Sequence, residues 1–189
     1  MPELVVDFIT SLDGYASAEG WPGFWGLEGP EYLTWLAENP EGDYLVLMGA
    51  KTYRLMHDFA KGGEPGTDVL GGMSKVVFSG TLTEPLPWEN STLVAGDAVE
   101  TVRRMKDDGD RSMRTIGSLT LCRSLLEAGL VDRFRVVMFP VITGATGSER
   151  IYDGYPDVAL DMTDSRTFDG RIQLVEYVPR VLEGPPGAS

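Results

Sequence analysis

The sequence predicts an α/β domain built on a mostly parallel central sheet, with helices on both faces and an antiparallel hairpin at the C-terminal end. Three observations carry this. Strand-like runs rich in β-branched residues alternate with amphipathic helical patterns along most of the 189 residues. Several runs are apolar at consecutive positions, as in a sheet covered on both sides. The last two runs flank Asp169-Gly170, a dipeptide suited to a tight hairpin turn.

In order, Leu4 to Ser11, Tyr44 to Met48, Lys75 to Ser79, Ser91 to Ala95, Met113 to Ile116 and Asp132 to Phe139 read as strands. Between them, Glu31 to Glu38, Ala50 to Phe59, Asp97 to Asp107 and Ser118 to Ala128 place apolar residues three or four apart, the spacing of an amphipathic helix. Asp97 with Glu100 three residues on reads as a helix start, and Gly129 as a helix stop. After Pro140, Val158 to Phe168 and Arg171 to Val178 form the hairpin. Asp13 to Gly29 and Gly62 to Gly72, each with five glycines, read as long irregular loops of the kind that carry function. One domain over residues 1–180 is expected, with 181–189 a disordered tail rich in Gly and Pro.

Composition narrows the function classes. No segment approaches the roughly 18 apolar residues of a membrane span, and the start of the chain lacks the basic flank of a secretory signal, so a cytoplasmic protein is expected. A net charge of -13 opposes nucleic-acid binding, which rests on Lys and Arg neutralising phosphates. One cysteine, Cys122, and one histidine, His57, leave too few soft ligands for a four-ligand zinc site, so no metal is expected. Cys122 lies amid leucines and reads as a core residue, and His57 as a packing or surface residue.

Two segments point to phosphate chemistry. In Leu47-Met48-Gly49-Ala50-Lys51-Thr52-Tyr53 a strand runs into a glycine and then a helix, leaving the first helical N–H groups free to meet an anion, with Lys51 and Thr52 adding contacts. An ordinary turn glycine beside an exposed lysine explains the same residues. Thr115-Ile116-Gly117-Ser118-Leu119-Thr120 repeats the pattern, with Ser118 either a helix N-cap or a phosphate contact. A dinucleotide needs several such turns at one carboxyl edge of a sheet, and parallel strands supply it.

These segments resemble the dihydrofolate reductase-like superfamily. The likeness is to the C-terminal reductase domain of the bifunctional riboflavin-biosynthesis deaminase/reductase and to its free-standing relatives. The resembling residues are Ser11-Leu12-Asp13-Gly14-Tyr15, Met48 to Tyr53, Phe78-Ser79-Gly80-Thr81-Leu82, the run Gly117 to Asp132, and Phe139-Pro140-Val141-Ile142 with Gly144, in the family's order. The resemblance implies a three-layer dihydrofolate reductase-like fold and an NADPH-dependent reductase of a small heterocyclic substrate. It places Gly49, Lys51, Thr52 and Ser79 near the adenosine end of the cofactor, and Gly117, Ser118, Leu119 and Thr120 by the pyrophosphate and nicotinamide. It also implies a homodimer.

Three departures stand out. Ala50 and Gly80 replace arginines common in the family, which leaves Lys51 as the main nearby cation and NADH open beside NADPH. Gly117-Ser118 stands where dihydrofolate reductases carry paired glycines joined by a cis peptide.

On the substrate side, Asp13 is a candidate proton donor or ligand contact, with a plain Asp-Gly turn as the alternative. Glu31 is the candidate acid on the first helix, with Glu28 competing and a simple helix-start acid as the alternative. Trp21, Phe24 and Trp25, interleaved with glycines, form either a flap for a flat ring or a loop anchor. Two further readings stay open: dihydrofolate reductase proper, and a ligand-binding module without catalysis. A zinc deaminase half is excluded by the single His and Cys.

Overall fold

The structure is a computed structural model that describes every residue except Pro22, Ala188 and Ser189. In chain order its elements are β1 (Leu4–Ser11), β2 (Tyr15–Ala18), α1 (Pro30–Glu38), β3 (Leu45–Gly49), α2 (Ala50–Gly62), α3 (Thr67–Gly72), β4 (Lys75–Phe78) and β5 (Ser91–Val94). They continue with α4 (Ala98–Asp108), β6 (Met113–Thr115), α5 (Leu119–Glu127), β7 (Arg133–Phe139), β8 (Gly147–Arg150), β9 (Val158–Phe168) and β10 (Ile172–Val181).

Eight strands form one sheet in the order β5-β4-β3-β6-β1-β7-β10-β9, and β2 pairs with β8 in a separate ribbon. Within the main sheet β10 alone runs against the rest. Both faces are covered, so a strand such as β3 buries consecutive residues: Val46 and Met48 point to one core, Leu47 to another. Helices α4 and α5 pack on one face through Val102, Leu121, Cys122, Leu125 and Leu126. On the other face α2 and α3 cover β3 and β4, while α1 covers β1, β7 and β10 through Tyr32 and Trp35.

The helix termini follow local chemistry. The Asp97 carboxylate accepts the Glu100 N–H at 2.9 Å, the N-cap expected for α4. Gly129, at φ +66°, closes α5 by donating its N–H to Leu126 O. The β9–β10 turn holds Asp169 and Gly170 at φ +53° and +64°, the left-handed pair of a tight hairpin. Cys122 is fully buried in the α4–α5 core, and burial pushes its thiol up to about 12. His57 stacks on Trp88 with ring centroids 5.6 Å apart.

Three readings of the irregular segments need correction. Asp13 to Gly29 contains β2 and a 3₁₀ turn at Phe24–Gly26. β2 is four residues long and pairs with β8, Tyr15 with Arg150 and Ala18 with Gly147, far along the chain, so neither strand has a local signal of its own. Gly62 to Gly72 holds α3, and α2 extends to Gly62. Glycines at those positions disfavour a helix. Tertiary contacts outweigh them: Leu70 is buried, and Lys75 Nζ donates to the carbonyls of Leu70, Gly71 and Met73 at 2.8–3.1 Å. At the other end, β10 runs to Val181, the first residue of the expected tail, whose last two residues lie outside the described residues.

Beneath α1 the sheet carries charge. Arg135, 4% exposed, binds Glu41 and Glu176, and Arg133 binds Glu3 and Glu176. Burial would raise the Glu41 carboxyl, but Arg135, Arg114 and Arg133 together hold it below the usual carboxylate range. A carboxyl lowered by folding contributes stability above its unfolded pKa and loses it as the pH falls. Acid titration should therefore unfold the protein progressively below about pH 5, and Glu41→Gln should cost roughly 3 kcal/mol at pH 7 by leaving guanidinium charge unpaired. Equal urea stability of the two proteins at pH 7 would contradict this.

The start of α1 is capped from far away. Asp169 accepts the N–H groups of Glu31 and Tyr32 at 3.0 and 3.1 Å, and its own N–H is accepted by Glu31 Oε2 at 2.5 Å. Gly29 allows this approach, since a Cβ there would meet the Asp169 carboxyl at 2.2 Å. Asp169→Ala should lower unfolding free energy by about 1–2 kcal/mol, read from denaturant curves.

Candidate functional site

β3 and β6 are parallel neighbours, so the turns that follow them, Gly49 to Thr52 and Gly117 to Thr120, emerge side by side at one edge of the sheet. Ser118 joins them. Its hydroxyl accepts the Gly49 N–H at 2.8 Å and donates to Thr52 Oγ1 at 2.7 Å. Ser118 stands at the N-cap position of α5, yet its side chain does not cap that helix. This corrects the N-cap reading of the residue. Gly117 and Ser118 both have left-handed backbone, φ +55° and +69°, which turns the hydroxyl away from α5 and toward β3. For a serine this conformation costs about 1–2 kcal/mol, and the two hydrogen bonds offset it. The Gly117–Ser118 peptide is trans; among the described residues the one cis bond is Glu84–Pro85.

Helix ends at this edge differ in one telling respect. α1 and α4 are capped by the carboxylates of Asp169 and Asp97, whereas α2 and α5 have no side-chain cap. A cap is worth about 1 kcal/mol. Burying three leucines on α5 contributes several times that, at roughly 2 kcal/mol each. Packing therefore lets these two helices form with their first N–H groups unspent. The two uncapped ends are the two that Ser118 ties together, and together they present N–H donors and positive dipole ends suited to an anion.

Other candidate residues are placed as follows. Lys51, 82% exposed on its side chain, forms an ion pair with Glu149 of β8. Ser79 follows β4, whose last residue Phe78 pairs with Gly49, but its hydroxyl accepts the N–H groups of Thr81 and Leu82 and so serves its own turn. Leu119 and Thr120 open α5, Thr120 exposed to solvent. Asp13 follows β1 at the same edge. Its carboxylate accepts the Ser11 hydroxyl at 2.6 Å and the Thr143 N–H at 3.1 Å, fastening β1 to the segment after β7. The Ser11 hydrogen bond first, then that of Thr143, holds the Asp13 carboxyl below its ordinary value. Glu31 lies apart from the two turns, its carboxylate engaged by the hairpin turn at Asp169. Among the described residues no group of three or more His, Cys, Asp or Glu is placed to hold a metal, and no helix is long and apolar enough to cross a membrane.

This architecture has counterparts among known proteins. Residues 2–174 match the family described as the RibD C-terminal domain. The chain belongs to that family. Its likeness to solved structures extends over the whole fold. A riboflavin biosynthesis protein from Shewanella sp. PV-4, described as putative in its name, superposes with a TM-score of 0.73 at 20% identity, covering 94% of this chain and 99% of that one. A pyrimidine reductase-like protein from Corynebacterium diphtheriae gives 0.63 at 16%, covering 95% and 92%. The Thermotoga maritima diaminohydroxyphosphoribosylaminopyrimidine deaminase/5-amino-6-(5-phosphoribosylamino)uracil reductase gives 0.67 at 17%, and the match spans 57% of its chain. The uncharacterized protein YyaP of Bacillus subtilis is 25% identical over 183 residues, 92% of this chain and 93% of that one. The mostly parallel, three-layer dihydrofolate reductase-like fold is thus that of free-standing and bifunctional RibD reductase domains.

In this RibD C-terminal domain, three contacts escape a reading of the sequence. The Ser118–Gly49 bridge spans 69 positions and the Lys51–Glu149 pair joins elements with no shared pattern. The Asp169 cap sits on a residue whose turn chemistry alone explains its presence. If Ser118 is the joint between the turns, Ser118→Ala should destabilise by about 1–2 kcal/mol, losing both bonds while keeping the strained backbone. Ser118→Gly should recover about 1 kcal/mol of that by relieving the strain. Equal thermal melting of all three proteins would contradict the bridge.

Proposed function

We propose that this domain is an NAD(P)H-dependent reductase of a small planar heterocycle, with NADPH the preferred dinucleotide and NADH the alternative. One observation carries the reading: α2 and α5, alone among the long helices, start without a side-chain cap, and a strained serine holds those starts side by side at the carboxyl edge of a mostly parallel sheet. That arrangement fits the phosphates of a dinucleotide, whose two anionic centres need donors from adjacent turns.

The roles follow from position. The backbone N–H groups of Ala50 to Thr52 and of Leu119 and Thr120 hold phosphate oxygens, and Thr52 adds its hydroxyl oxygen to the Ser118 bridge. Lys51, released from Glu149, supplies a point charge for a ribose phosphate. When bound, the reduced nicotinamide supplies a hydride to an electrophilic carbon of the substrate. The activity for which the Thermotoga maritima relative is named supports a pyrimidine of the riboflavin-precursor type as that substrate. Asp13 and Glu31 are given no acid role. Asp13 is held ionised by two hydrogen bonds, and Glu31 is part of a helix cap. The same engagement of both carboxylates favours a second reading, a dinucleotide-binding module without turnover.

Binding is read by calorimetry with NADPH and NADH. Gly49 has φ -85°, and a Cβ there would sit an unstrained 3.5 Å from Ser118 Oγ, so Gly49→Ala should fold normally. It should nevertheless weaken NADPH by about tenfold, because the methyl obstructs phosphate approach to the turn. Lys51→Ala should weaken NADPH by about tenfold and NADH much less. No binding of either dinucleotide at millimolar concentration would overturn the proposal, and oxidation of bound NADPH by a pyrimidine substrate would exclude the module reading.

A further inference from the structure

The β2–β8 ribbon is fastened at both ends of β8. Ile151, just past β8, is 1% exposed in the main core and donates its N–H to Gly14 O at 2.9 Å. Gly147, the first residue of β8, is so closely packed that a Cβ there would meet the Tyr15 ring and the Thr143 carbonyl at 2.6 Å. Between these anchors the ladder pairs Tyr15 with Arg150, Ser17 with Ser148 and Ala18 with Gly147, and it skips the Ala16–Glu149 position. Glu149 instead has φ +63°, left-handed backbone inside a strand. Ser148 and Arg150 face solvent, whereas the Glu149 side chain is 26% exposed and meets Lys51 Nζ at the start of α2.

Stability does not account for this geometry. An ion pair in which the lysine is mostly exposed contributes little to folding, and left-handed backbone at a residue other than glycine opposes it. Strain of this kind gathers at ligand-binding segments. The pair is also asymmetric. Its carboxylate is fixed by backbone anchored on both sides, while its ammonium rides on a long solvent-exposed stem with freedom to swing. Asp169 and Asp97 bind the first N–H groups of α1 and α4. Glu149 does nothing of the kind at α2: it engages the Lys51 ammonium and leaves the helix without a side-chain cap. A fixed negative charge therefore stands beside donors that stay unspent.

We infer that Glu149 is a resident counter-anion that holds Lys51 in the free protein, competes with the cofactor's ribose phosphate for it, and so narrows the preference for NADPH over NADH. The inference rests on the dinucleotide reading and names a residue that sets specificity within it. The two dinucleotides share a diphosphate and differ in the phosphate on the adenosine ribose, which brings roughly two further negative charges. That group must draw Lys51 away from Glu149 and is repelled by the carboxylate left behind. NADH brings a hydroxyl instead, which leaves the ion pair in place and can donate to the carboxylate. Removing the charge while keeping the shape should thus act on one dinucleotide and spare the other.

In calorimetric titrations of the full chain at low ionic strength, Glu149→Gln should tighten NADPH about five- to tenfold and change NADH by less than about twofold. In about 0.5 M salt the NADPH gain should shrink to under about threefold. Adenosine 2′,5′-bisphosphate should follow NADPH and adenosine 5′-monophosphate should follow NADH, which assigns the effect to the ribose phosphate. Glu149→Gly should show the same gain and also melt at a higher temperature than the parent, because glycine adopts left-handed backbone without strain. Glu149→Gln keeps the strain and should melt as the parent does. A purely structural role for the pair would shift that melting temperature and leave the ratio of the two affinities alone. Unchanged or weaker NADPH binding in both variants, or equal tightening of both dinucleotides, would overturn the inference and leave the dinucleotide reading standing. No binding of either dinucleotide to any of the three proteins defeats that reading, and this inference with it.

Discussion

β3 and β6 run parallel and adjacent, so segments 69 positions apart finish at one edge, and the Ser118 hydroxyl fixes the distance between them. Much of the site depends on that joint. Because Ser118 turns toward Gly49 and Thr52, it cannot cap α5, and its left-handed backbone is the cost of that orientation. Because Gly49 precedes α2 without a side chain, α2 is left uncapped as well. The leucines of α5 and the buried Tyr53 of α2 hold both helices in place without those caps. Two sets of free N–H groups at one edge result from packing on the sheet faces.

Charge is organised around this edge in a way the net value of -13 conceals. The arginines Arg133 and Arg135 are committed to carboxylates beneath α1, where they stiffen the platform on which Tyr32 and Trp35 sit. Lys51 is the cation beside the two turns, and Glu149 of the β2–β8 ribbon neutralises it. A phosphate would have to displace Glu149 as Lys51's partner. In the proposed dinucleotide complex the ribbon would link cofactor affinity to the segment after β7, which Asp13 also fastens through Thr143.

The sheet, four of its helices and the terminal hairpin were legible in the sequence, because β1, β3 and β7 bury consecutive apolar residues and α4 and α5 repeat theirs at helical spacing. Gly49, Lys51, Thr52 and Gly117 to Thr120 were legible as turns at one edge for the same reason. What escaped is non-local. β2 and β8 are defined by each other, and α3 by the buried Leu70 and the reach of Lys75. Ser118 read as a cap because serine before a helix usually is one; the left-handed backbone that redirects it has no sequence mark beyond the preceding glycine. Asp13 and Glu31 read as candidate acids by residue type and place, whereas their hydrogen-bond partners, Thr143 and Asp169, come from the far end of the chain.

If the two uncapped helix starts hold the dinucleotide phosphates, residue-resolved amide exchange of the full chain will show it when compared with and without NADPH. Exchange should slow selectively at Ala50, Lys51, Thr52, Leu119 and Thr120, the unspent donors of α2 and α5, with the capped first turns of α1 and α4 unchanged. Protection spread evenly over all four helix starts, or none at α2 and α5, would contradict it.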